Sequence, residues 1–139
     1  MMTNERGMTL VEILVAVVII TIGLTAIATG MQLATSGINQ GQQETTSVFL
    51  AEHKLEDIKA FALSTNPAQG FANVTGANFP AEGYSTIAGN NGYRRTTTIT
   101  NPNATMKVVV VNVFYVPVGV SKSINTERQV SLSTVLRTR

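Results

Sequence analysis

The sequence predicts an α+β fold in which a long N-terminal helix, membrane-spanning at one end and amphipathic at the other, packs on a small antiparallel β-sheet. Three observations predict it. Residues 8–31 form an unbroken apolar run, no proline occurs before Pro67, and alternating strand patterns fill the chain after Tyr93. The expected division is residues 1–7 as a short polar leader, 8–31 as the membrane half of the helix, 32–63 as its amphipathic half, and 64–139 as a globular β-sheet region.

The run over residues 8–31 holds one charge, Glu12. As a helix it would rise roughly 36 Å at about 1.5 Å per residue, enough to cross a hydrocarbon core of about 30 Å. A secretory signal peptide has an apolar region of about 7–15 residues ending in a small-x-small cleavage site. This run is longer and continues into sequence that still reads as helix, so removal after it is not expected. It also explains the composition of the 139-residue chain, 44% hydrophobic but only 13% charged, about half the usual charged share of a soluble domain.

Beyond Gln32 the pattern turns amphipathic. Val48, Ala51, Leu55, Ile58 and Ala62 recur at three and four residues and share one stripe. Glu52, Lys54, Glu56, Asp57 and Lys59 occupy the other side, with His53 four residues before Asp57 in a surface or packing role. Ser64-Thr65-Asn66-Pro67 ends the helix, because proline disfavours the α conformation of the residue before it. Residues 66–92, rich in Gly, Asn and Ala, read as an ordered loop with a short strand over 84–87.

Three strands are expected next. The first covers residues 93–100 and ends in a turn at Asn101-Pro102-Asn103; its Arg94-Arg95 pair is placed on an exposed strand face. The second, residues 106–116, is the strongest strand pattern in the chain. In the third, residues 126–136, Arg128, Val130, Leu132, Thr134 and Leu136 alternate against Glu127, Gln129, Ser131, Ser133 and Val135, which marks one buried face. Short turns make the three an antiparallel meander, and its apolar face is covered by the helix stripe.

Several functions are excluded early. The net charge of +2, with its cations scattered, predicts no nucleic-acid partner. The absence of cysteine removes disulfides, thiolate catalysis and Cys-ligated metal; one histidine is too few for a His-based metal site. No phosphate loop, acid–base pair or Ser-His-Asp arrangement is legible, so no enzyme and no cofactor is expected.

Glu12 is the informative anomaly. A carboxylate at membrane depth costs about 2.5 kcal/mol or more on insertion scales, so it is usually retained for a task. One reading places Glu12 at the interface, reaching water from the end of the span. The other uses Gly7-Met8: a cut there creates an amine four residues before Glu12, at a helix end that favours negative charge. Between staggered subunits, the amine of one would meet the carboxylate of the next and set the register of otherwise featureless helices. Ala16, Gly23, Gly30 and Gly37, spaced by seven, add a line of small residues suited to close helix packing. Glycine is also simply common in membrane helices, and both readings of that line stand.

The stretch Gly7-Met8-Thr9-Leu10-Val11-Glu12-Ile13-Leu14-Val15-Ala16 resembles the start of type IV pilins and of type II secretion pseudopilins. The resemblance implies cleavage by a prepilin peptidase between Gly7 and Met8, N-methylation of Met8, and Glu12 as the assembly residue. It also implies a single-pass inner-membrane protein with its globular part in the periplasm. The partners would be the lipid bilayer, an assembly platform and other pilin or pseudopilin subunits. Residues 50–60 look like the matching segment of V-type minor pilins and I-type pseudopilins. Met8 in place of the common Phe, Thr29 where major pilins often have proline, and the missing C-terminal disulfide lean towards a minor subunit. The alternatives are a pseudopilin, or an ordinary single-span anchor for a periplasmic binding or enzymatic domain.

Overall fold

A computed structural model of the chain describes residues 9–118 and 126–138. The helix α1 spans Leu10–Leu63, a short 3-10 turn covers Phe71–Asn73, and three strands follow: β1 Tyr93–Asn103, β2 Met106–Tyr115 and β3 Arg128–Arg137. The chain divides into two compact units, Met1–Ile38 and Asn39–Arg139.

In the first unit α1 is helical without interruption, although it contains β-branched residues throughout. Its threonines are accommodated by local bonding. Thr21, Thr25, Thr29 and Thr35 donate their hydroxyls to the carbonyls of Val17, Thr21, Thr25 and Met31 at 2.7–3.0 Å. Each polar group is thereby satisfied inside its own helix, which removes most of the cost of placing it in an apolar medium.

In the second unit Ser47, Leu50, Ala51, Leu55 and Ile58 form the buried stripe of α1. The expected stripe is shared at Ala51, Leu55 and Ile58, whereas Val48 and Ala62 are only half-buried. The helix stops at Leu63, immediately before the breaker sequence. Gly70 donates its N–H to the Phe61 carbonyl at 2.9 Å, satisfying an acceptor freed by the helix end. It does so at a φ of 97°, a conformation that favours glycine.

The sheet is an antiparallel meander in the order β1-β2-β3. Ile99, Val109 and Thr134 lie abreast, as do Thr97, Val111 and Leu132, and Arg95, Val113 and Val130. The alternation in β2 is complete, with Val109, Val111, Val113 and Tyr115 all buried. They join Leu50, Ala51, Leu55 and Ile58 of the helix with Val74, Phe79, Ile87 and Leu136 in one core.

Three local expectations are corrected. Residues 84–87 form no strand: they turn, with Ser85 at a φ of 65°, and what pairs with β1 is a single bridge from Glu82 to Arg95. Asn101-Pro102-Asn103 is not the first hairpin turn. β1 continues to Asn103 through a register shift between Thr100 and Asn103, where Pro102, having no N–H to donate, is tolerated. The turn falls at Ala104-Thr105, where Asn103 Oδ1 accepts the Thr105 N–H and hydroxyl, both at 3.1 Å. The third concerns the Arg94-Arg95 pair: Arg95 is buried and Arg94 half-buried, against the expected exposed face.

Candidate functional site: the start of the long helix

The helix begins with a side-chain cap. Thr9 Oγ1 and the Thr9 carbonyl both accept the Glu12 N–H, at 3.3 and 3.0 Å. Thr9-Leu10-Val11-Glu12 therefore has the Thr-x-x-Glu spacing of a capping box, with Glu12 at the third helical position. The sequence reading of Glu12 as a lone buried charge missed this local role. The signal was present in the four-residue spacing. An acid in the first turn is also favoured by the helix dipole.

From Leu10 to Ile38 every side chain of α1 is exposed. Within this stretch an 18-residue window reaches a mean hydropathy of 2.7 with none of it buried. Contiguous apolar exposure on this scale is unusual for a monomer in water and marks a surface meant for lipid or for other chains. At 100° per residue Glu12, Ala16, Gly23, Gly30 and Gly37 fall within an arc of about 60°, so the acid and the small residues share one side. A Cβ added at Gly23, Gly30 or Gly37 would meet nothing within 4 Å. Their own chain gives these glycines no steric reason to be small. Gly7 and Met8, the expected cleavage and methylation site, lie outside the described residues.

The remaining charges of note hold the second unit together. Glu82 binds the Arg95 guanidinium through one carboxylate oxygen and Lys54 Nζ through the other at 3.1 Å. Arg95 also donates to the Leu50 carbonyl at 2.7 Å, and its backbone exchanges two hydrogen bonds with Glu82 at 2.7 and 2.8 Å. At 7% exposure Arg95 is a buried residue, against the expectation of an exposed face. It sits in phase with Tyr93, Thr97 and Ile99, the inward set of β1, and the carboxylate that makes this tolerable comes from the loop. Arg94, pointing the other way, binds Glu127 with both ends of its fork and lies 3.7 Å from the Phe114 ring centroid. Tyr84 donates to the same carboxylate at 2.6 Å.

These contacts favour the ionised form of both acids. Partial burial of Glu82 pushes its carboxyl up, but the hydrogen bonds and charges of Arg95 and Lys54 outweigh it and hold the group below the usual range. For Glu127 the Arg94 hydrogen bond dominates and again lowers the carboxyl. Lys107 is anchored comparably, donating to the Ala72 and Val74 carbonyls at 3.0 and 2.7 Å. His53 pairs with Asp57 at 3.2 Å on the exposed side of α1, as its spacing suggested. All of these side chains face partners within the chain, and their arrangement braces the loop against helix and sheet.

The family model for the prokaryotic N-terminal methylation motif matches residues 2–28. No curated protein and no solved structure matches the chain.

Proposed function

From the premise that the chain carries the N-terminal signature of type IV pilins and pseudopilins, we propose that it is a minor pilin-like structural subunit, made as a prepilin and assembled into or priming a type IV pilus. The observation that carries this reading is the pairing of that motif with a bare apolar stretch of helix, residues 10–38, whose single acid, Glu12, lies in line with its small residues. Prepilin peptidase would cut between Gly7 and Met8, Met8 would be N-methylated, and the sheet-bearing unit would stand in the periplasm while α1 holds the membrane. Extraction from the bilayer then exchanges lipid contacts for contacts with neighbouring helices, so the apolar surface stays covered throughout. Such a subunit works by packing and catalyses nothing.

Within that exchange the amine released at Met8 and the carboxylate of Glu12 form the only opposite charges near the apolar surface. Pairing them between staggered subunits lowers the energy of one register above all others. Residues 50–60, like those of V-type minor pilins and I-type pseudopilins, favour a minor place over the bulk filament. The deciding experiment is co-expression with a prepilin peptidase. Mass spectrometry is expected to show a chain shortened by its first seven residues and beginning with methylated Met8. An intact N-terminus under those conditions overturns the reading and leaves an ordinary membrane anchor.

A further inference from the structure

Two exposed patches on the second unit complement each other. One is an open cleft of about 410 Å³ where the end of α1 meets the end of β3, lined by Lys59, Leu63, Phe71, Val135 and Arg137 among others. Leu63 and Val135, 82% and 53% exposed, give it an apolar wall. Lys59 and Arg137 are exposed and give it two positive charges; no acidic side chain lines it among the described residues. The other patch lies earlier on α1. Phe49, 62% exposed, is followed by Glu52 and Glu56 at three and seven residues, both exposed and on the same side of the helix. It is an aromatic anchor with two negative charges beside it.

We propose that the cleft receives a second copy of this chain, with Phe49 of one copy entering between Leu63 and Val135 of the other and Glu52 and Glu56 facing Lys59 and Arg137. An aromatic side chain seated in an apolar pocket with charges at its rim is the usual form of an interface hot spot. The rim charges fix orientation and exclude the reversed arrangement, in which like charges would meet. The two patches are different surfaces, so the contact is heterologous, the head of one copy against the tail of another. Phe49 precedes Lys59 by ten residues, about 15 Å along a helix. Parallel copies therefore make the contact only when one is advanced along the helix axis. The inference rests on the reading of the chain as an assembly subunit, and adds that two copies of it can occupy neighbouring places.

The chain contains no cysteine, so introduced thiols report on single positions. Two differently tagged forms of the full chain, Phe49→Cys and Val135→Cys, are mixed in detergent and oxidised. The mixed disulfide dimer is expected to exceed either homodimer about tenfold, the ratio that some 1.4 kcal/mol of preference produces. Adding Glu52→Lys and Glu56→Lys to the first form should abolish that excess. Adding Lys59→Glu and Arg137→Glu to the second should then restore it. Homodimers as abundant as the mixed dimer, no dimer at all, or indifference to the charge reversals would each overturn the contact. Leader removal and methylation are scored on the same cells. A processed chain without the mixed dimer refutes this contact alone, and an unprocessed chain with it refutes the pilin reading alone.

Discussion

Thr9 and Glu12 are joined at the mouth of α1, the Thr9 hydroxyl accepting the Glu12 N–H at 3.3 Å. The position of Glu12 thus supports the helix start, while its exposed charge is the part that the proposed assembly would use. Glu12→Gln retains the Thr-x-x-Glu/Gln box but removes the charge. It should leave membrane insertion and helix content unchanged while impairing incorporation into filaments. Thr9→Ala should do the reverse, loosening the first turn by about 1 kcal/mol with incorporation largely kept. Incorporation is read by immunoblotting sheared filaments. Equal incorporation of Glu12→Gln and wild type would remove the charge from the mechanism.

The open space around Gly30 yields a second expectation. A Cβ there meets nothing within 4 Å beyond its own helical turn, and a leucine strengthens the helix by roughly 0.8 kcal/mol. Gly30→Leu should therefore insert and be processed normally, yet fail to enter filaments if the line of small residues is a packing face. Normal entry would show that the glycines are incidental.

Glu82 links stability to pH. Its carboxyl is held below the ordinary value of 4.5 in the folded chain, so the stability it contributes is fully present above about pH 4.5 and lost as pH falls through the lower folded-state value. Glu127 acts in the same direction. Thermal melting of the full chain in detergent, followed from about pH 7 to about pH 3, should show a steep acid decline. Glu82→Gln should melt lower at neutral pH, by about 1.5–3 kcal/mol for the lost charged hydrogen bonds to Arg95 and Lys54, and decline less steeply in acid. An unchanged acid slope in that variant would refute the assignment.

Thr97 offers a stabilising change. Its buried hydroxyl has no hydrogen-bond partner among the described residues, opposite Val111 on the inner face of the sheet. Thr97→Val keeps the shape and removes the unsatisfied group, for an expected gain of about 1 kcal/mol. Urea denaturation of the two forms measures it, and a loss of stability would mean the hydroxyl is satisfied by water.

Much of this was legible in the residues themselves, because long periodic patterns leave few alternatives. The helix from the apolar run to Leu63 and the alternation of Val109, Val111 and Val113 needed no tertiary information. The brace could not be read so directly. Arg95 looked like an exposed cation until Glu82, thirteen residues earlier in an irregular loop, supplied its partner. The hairpin turn shifted from Asn101-Pro102-Asn103 to Ala104-Thr105 because a strand edge can absorb a proline where its missing N–H is not needed. Both misses depend on pairings between segments, which local composition does not encode. At the helix start the missed feature was local: the Thr9–Glu12 spacing was read for charge and overlooked as a cap.

The threonines of the first unit carry a last consequence. Because Thr21, Thr25, Thr29 and Thr35 direct their hydroxyls at carbonyls of their own helix, they offer neighbours mainly methyl groups. The helix flank is therefore nearly frictionless: adjoining chains can glide along it without breaking a directional bond. On the proposed reading, so slippery a track would leave a single electrostatic catch, at Glu12, to choose where sliding stops.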